Sequence, residues 1–321
     1  MQTAGSMTFP KAMLITMRPY LLFLSGITGI AGIAAVPDAP ASIVLLVSFA
    51  SFLSYGFGQA LTDCFQTDTD AISAPYRPLV QGTVSRKSIF IASIAGLTLC
   101  SVVFAVGNSM NLVLGALAVG GLATYTWFKR RWWGGPWYNA WIVVVLCVMA
   151  YLTGSGGGIT TLPTSMIPLL LLVFFGYANF VLSGYFKDIS ADRQTGYNTF
   201  PVVYGRAAAA VASDLLALGA TIGLFLLLVP VWQDPVSIER LVGSAGFAVW
   251  GTAHTVLGQL LLHKNRADDD AHRSIRHVVQ SYILSLSAAA VVFQPNWILP
   301  LVLFYAAFLV VLKHRTERSQ I

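Results

Sequence analysis

Four aspartates, Asp63, Asp70, Asp188 and Asp192, stand in two short stretches that each follow a long apolar run: TDCFQTDTDAISAPYRPLVQGTVS from Thr62 to Ser85, and YFKDISADRQTGYNTFPVVYG from Tyr185 to Gly205. Charge at the end of an apolar run is expensive in a bilayer, so such acids need a cationic partner or a function. Carboxylates one or two helical turns apart suit a hard cation such as Mg2+, which takes oxygen ligands and commonly shares them with phosphates. On a helix, Asp63, Gln66 and Asp70 fall at i, i+3 and i+7 and share one face, whereas Asp68 falls off it. Asp188 and Asp192 are spaced i, i+4, with Gly196 continuing their face. Arg77, beyond a turn at Ser73 to Pro75, would meet the same phosphate. A single acid pair of this kind also reads as a solvated interfacial loop; a second one at the end of another apolar run tips the balance toward a site.

The elements that position these residues are membrane spans. With 56% hydrophobic and 10% charged residues, the chain is far too apolar for a soluble domain, where about a quarter of residues are charged. Apolar runs of spanning length fall at about 20–35, 41–62, 88–107, 111–128, 137–153, 166–186, 207–230, 241–262, 278–293 and 297–312. The last two are short and read as two spans or as one hairpin broken around Pro295 and Pro300, so nine or ten transmembrane helices are expected. The tails Arg77–Gly82 and Phe200–Gly205 read alike, which suggests one all-α domain over 1–321 with two pseudo-repeat halves, about 15–150 and 151–290, and C-terminal helices.

If the N-terminus is placed in the cytoplasm and sides alternate, every one of the 19 Lys and Arg residues except Arg240 falls inside. This is a strong positive-inside asymmetry, and it puts both acidic stretches on the cytoplasmic side of a multi-pass protein. The net charge of +6 is spread over those loops and calls for anionic lipid headgroups, not nucleic acid. Three cysteines give neither a disulfide framework nor metal-ligand spacing. The first apolar segment lacks a small-residue cleavage site and reads as a retained span.

Further polar residues have two readings each. Arg18 is a snorkelling anchor or a phosphate contact. Tyr125 and Lys129, spaced i, i+4, belong to an interfacial aromatic belt or face the bundle interior as part of a diphosphate site. Asn179, Asp214, His254 and Gln259 are interhelical hydrogen-bonding groups or substrate contacts. The run Asp268–Asp270 is a solvated charge run that points three ways on a helix and makes a poor metal site.

The two acidic stretches resemble the signature of the UbiA superfamily of intramembrane prenyltransferases, N-D-x-x-D-x-x-x-D and D-x-x-x-D, standing here as Thr62-Asp63-x-x-Gln66-x-x-x-Asp70 and Asp188-x-x-x-Asp192. Ala71 to Pro78 looks like the branch containing chlorophyll synthase and archaeal-lipid prenyltransferases. Lys187, Arg193, Gly196, Thr199, Pro201 and Gly205 match the second motif loop, as Tyr125 and Lys129 match the loop after the fourth helix. The resemblance covers about residues 15–290. It implies nine helices around a central cavity open sideways to lipid, with Mg2+ held by Asp63, Asp70, Asp188 and Asp192. It also implies an isoprenyl diphosphate held by Arg77, Lys129 and Lys187, with Arg18, Arg193 and Tyr125 beside it. The implied activity is prenyl transfer to a small acceptor, aromatic acceptors included. The alternatives are terpene cyclisation and non-catalytic binding or transport of prenyl lipid. Thr62 and Gln66 depart from the motif. The second departure replaces a carboxylate with an amide, and either Asp68 compensates or the metal site is weaker.

Overall fold

The computed structural model describes residues 7–159, 162–233 and 237–315. Among them there is no strand. Thirteen α-helices follow in order: α1 (Phe9–Met17), α2 (Leu22–Ala34), α3 (Ala41–Asp63), α4 (Thr67–Ser73), α5 (Arg86–Ala105), α6 (Met110–Arg131), α7 (Gly135–Ser155), α8 (Met166–Tyr185), α9 (Ile189–Gln194), α10 (Phe200–Gln233), α11 (Ile238–Lys264), α12 (Ala271–Phe293) and α13 (Ile298–Lys313). Nine of the helical segments are long and apolar enough to cross a membrane, and α1 with α2, bent by 44°, makes a tenth. Pro295–Trp297 forms a single 3-10 turn, so the final apolar stretch is two helices.

The long helices close a ring in which each packs on the next: α2 on α3, then α5, α6, α7, α8, α10, α11, α12 and back to α2. α2, α8 and α12 are buried over most of their length. The outward faces carry large apolar side chains such as Leu45, Leu99 and Val249, exposed by 71%, 64% and 72%. Water would not tolerate that surface, and lipid tails match it, so this is an integral membrane protein. Gly56 and Gly58 let neighbouring side chains approach α3 closely: a Cβ at Gly56 would lie 2.4 Å from Met17 Cε, and one at Gly58 3.1 Å from Leu122 Cδ1.

Between the spans, two short helices carry the acidic stretches. The expectation of one continuous helical face through Asp63, Gln66 and Asp70 is not met. α3 ends at Asp63, Gln66 has φ −130° and ψ 28°, and α4 starts anew at Thr67. Likewise Asp188 lies just before α9 and Asp192 within it, and Gly196 lies beyond it at φ 75°. The two similar tails both end at a left-handed glycine, Gly82 at φ 66° and Gly205 at φ 83°, but the first is a turn and the second is helical. Gly205 kinks α10 at its base, a conformation that costs an L-residue about 1 kcal/mol or more.

Candidate active site

Folding gathers the acids and cations at one end of the ring. Arg18 sits at the break between α1 and α2 in a left-handed conformation, φ 52°. Its Nη2 donates to both carboxylate oxygens of Asp63 at 3.0 Å. Asp63 Oδ1 also accepts from Gln59 Nε2 at 2.6 Å and Gln66 Nε2 at 3.2 Å, and Arg77 Nη1 lies 3.7 Å away. Arg77 Nη1 pairs more closely with Asp70. It therefore bridges the two acids of the first motif across the break that separates their helices, although it has no well-aligned hydrogen bond to either.

The second motif is neutralised from α6. Lys129 Nζ lies 3.4 Å from Asp192 Oδ1 and over the rings of Tyr185 and Tyr197, 5.1 Å from each centroid. Thr199 Oγ1 donates to the other oxygen of Asp192 at 3.1 Å. Tyr125, one turn before Lys129, shares a 2.7 Å hydrogen bond with the Tyr185 hydroxyl. Of the two readings for Tyr125 and Lys129, the bundle interior is the one observed; both are buried. The motifs themselves are joined by a 2.8 Å hydrogen bond between the hydroxyls of Thr69 and Thr195.

These residues surround a polar cavity of about 760 Å³ lined by Arg18, Arg77, Lys129 and Lys187 and by the carboxylates of Asp70 and Asp188. Asp63 and Asp192 stand behind its wall, 1% and 0% exposed. A second, mainly apolar chamber of about 750 Å³ runs between α3, α5, α6 and α7 past Leu97, Phe104, Leu122, Leu146 and Met149. Tyr55, Gln59, Thr62, Asn139 and Tyr177 line both, so the two chambers adjoin at these side chains.

Burial works against several of the charges. It pushes the carboxyls of Asp70 and Asp192 up to about 6, despite Arg77 and Lys129, and draws the Lys187 ammonium down to about 8. A cation would satisfy the acids and a phosphate the lysine. Among the described residues no three His, Cys, Asp or Glu side chains form a group able to hold an ion by themselves. Mg2+ is ordinarily held by one or two carboxylates together with substrate phosphates and water.

Several anticipated residues lie elsewhere. Asp68 turns away from the cavity to Arg130 at 2.5 Å and to the Tyr197 hydroxyl at 3.3 Å, so it does not replace the missing carboxylate of Gln66. Arg193 is exposed on α9 and is not part of the cavity lining. Asn179 accepts from Ser213 of α10 and Gln259 of α11, and Asp214 pairs with His263: these are links between helices. His254 similarly bonds His277 at 2.8 Å. Tyr55, Asn139 and Tyr177 were not anticipated. Tyr55, Gln59 and Asp63 follow the i, i+4, i+8 spacing of one helix face, a signal that could have found the first; Asn139 and Tyr177 have no such marker.

A ring of membrane helices around a polar chamber of acids and cations, with an apolar chamber beside it, defines a polytopic membrane protein with a buried charged site. The chain belongs to the UbiA prenyltransferase family, whose model matches residues 22–278. It is 24% identical to the digeranylgeranylglyceryl phosphate synthase of Methanococcus aeolicus over 70% of this chain and 75% of that one. It is 27% identical to the bacteriochlorophyll synthase 33 kDa chain of Cereibacter sphaeroides over 56% of this chain and 60% of that one. In fold it is similar to a UbiA homolog from Aeropyrum pernix K1, with TM-score 0.62 and 18% identity over 92% of this chain and 98% of that one. It is equally similar to a UbiA homolog from Archaeoglobus fulgidus bound to DMAPP and Mg2+, with TM-score 0.62 and 16% identity over 93% and 96%.

Proposed function

We propose that the protein transfers a prenyl group from an isoprenyl diphosphate to a small acceptor, with Mg2+ as its cofactor. The observation that carries this reading is a four-cation polar chamber lying against an apolar one, with five side chains lining both. A prenyl diphosphate has the same division into a charged head and an apolar tail.

The resting site balances its charges in pairs: Arg18 with Asp63, Arg77 with Asp70, Lys129 with Asp192, and Lys187 beside Asp188. On donor binding the cations turn to the diphosphate oxygens, and Asp70 and Asp188, with Asp63 and Asp192 behind them, are the carboxylates that would hold Mg2+. Bound Mg2+ supplies neutralisation of the charge that develops on the leaving group. Arg77, Lys129 and Lys187 add fixed positive charge at the same place, where low dielectric strengthens it. The allylic C–O bond breaks and its electron pair leaves with the diphosphate. An electron pair of the acceptor then forms the new bond to carbon, and the acceptor's proton passes to the released diphosphate or to water. The apolar chamber keeps water from the carbocation. Tyr55, Gln59, Thr62, Asn139 and Tyr177, at the junction, are placed to orient the acceptor. Arg193 is assigned no part.

The named relatives act on different acceptors by their names, so the acceptor here is read only as a small molecule with a nucleophilic atom. The motif loops and N-terminus are assigned to the cytoplasm, supported by the distribution of Lys and Arg. Purified protein incubated with Mg2+, prenyl diphosphates of several lengths and a lipid-extract pool should yield new prenylated masses. Diphosphate release from donor alone would instead mark a cyclase, and no turnover with retained lipid a binding protein.

A further inference from the structure

Asp188 is the residue before the first turn of α9, a position where aspartate ordinarily turns its carboxylate back to accept a backbone N–H two or three residues on. Here it makes no such bond. Asp188 is instead among the residues that line the polar cavity. The N–H it would have taken, that of Ser190, donates to Asp268 Oδ2 at 2.8 Å, from the loop between α11 and α12. Asp268 is itself fixed through its other oxygen by Arg206. Arg206 also donates to Asn265 Oδ1 at 3.1 Å and to the carbonyl of Phe186 at 3.4 Å. One guanidinium at the base of α10 thus ties the loop to the segment just before Asp188. Asp269 and Asp270, its neighbours, are exposed.

We propose that Asp268 is a positioning residue for the second motif: by accepting the Ser190 N–H, it relieves the Asp188 carboxylate of the capping role and leaves it facing the cavity. The loop read from sequence as a solvated charge run is therefore split in function. α9 has six residues, too few to hold its own shape. Without Asp268, Asp188 is left in the N-cap position from which a carboxylate reaches that N–H, and turning to it takes the carboxylate from the cavity. The inference rests on the prenyl-diphosphate reading of the cavity.

The test measures Mn2+ binding to the purified full-length protein by electron paramagnetic resonance in the presence of inorganic diphosphate, and separately the Mg2+ dependence of prenyl transfer. Asp268→Ala and Asp268→Leu should each weaken Mn2+ by about tenfold or more, the usual scale for groups that orient metal ligands. Asp268→Asn, which keeps the size of the native side chain and an oxygen acceptor where Leu keeps only the branched shape, should lose less than about threefold. Asp269→Asn, which removes the same charge from the same loop, should bind as wild type does. In an Asp188→Ala background, Asp268→Ala should add nothing. If Asp268→Ala does not fold, the contrast between Asn and Leu decides. Equal affinities for those two, or an Asp269→Asn loss as large as that of Asp268→Leu, would overturn the proposal. A wild type that binds Mn2+ yet transfers no prenyl group would refute the proposed reaction and leave the binding comparison to judge Asp268 on its own.

Discussion

Gln66 Nε2 donates to Asp63 Oδ1 at 3.2 Å, across the break between α3 and α4. The amide standing where the family pattern has a carboxylate is therefore a support for its neighbour. Arg18, Gln59 and Gln66 all donate to Asp63, which is 1% exposed. A carboxylate at position 66 would lose this donation and set two negative charges side by side. Gln66→Asp should melt lower than wild type without divalent cation and gain more from added Mg2+, and its half-maximal Mg2+ for activity should fall. Thermal unfolding with and without Mg2+ checks this; an equal Mg2+ gain in both proteins would refute it.

The cavity acids and the outward acid should separate cleanly. Asp188→Ala is expected to lower kcat by at least about a thousandfold, since electrostatic stabilisation of a leaving group contributes several kcal/mol. Asp68→Asn loses a half-exposed ion pair with Arg130, worth about 1 kcal/mol or less, keeps an oxygen to accept from the Tyr197 hydroxyl, and should keep activity within about fivefold. Steady-state kinetics with saturating Mg2+ decides, and a crippled Asp68→Asn would mean that the loop shifts to bring Asp68 onto the metal.

Arg77→Ala removes a counter-charge for the diphosphate and also the bridge between Asp63 and Asp70. It should raise the donor KM by about tenfold or more and steepen the Mg2+ requirement, since two buried acids lose their shared cation. An unchanged KM would reduce Arg77 to a topology anchor.

Thr69 and Thr195 connect the two motif loops by a single hydrogen bond of 2.8 Å. Thr69→Val and Thr195→Val should each lower kcat by about fivefold, the equivalent of one hydrogen bond of about 1 kcal/mol. The double variant should be no worse than either single one, because both remove the same bond. Full additivity in a double-mutant cycle would show that the hydroxyls act separately.

Ala118 lines the apolar chamber away from the acids. Ala118→Phe should occupy space needed by a long tail, lowering kcat/KM for long-chain donors by about tenfold while short-chain donors keep most of theirs. The ratio of rates for two donor lengths is the measurement. An unchanged ratio would place the tail elsewhere.

The sequence by itself determined the membrane architecture, because the bilayer imposes a length and a composition on every span. The apolar runs located the helices, even where Pro295 left the final pair ambiguous. The spacing of Asp63, Asp70, Asp188 and Asp192 located both motifs and the family. The tertiary structure decided which charges face which. Helical periodicity placed Asp63, Gln66 and Asp70 on one face, but the chain breaks at Cys64 to Gln66 and they converge only through Arg77, Gln66 and Arg18. The pairing of Lys129 with Asp192 and the capping of Ser190 by Asp268 join residues far apart in the chain, and Asn139 and Tyr177 come to line the same cavity from different helices. Local spacing encodes neighbours within one helix. Contacts between helices depend on how the whole ring closes, and no short stretch carries that information.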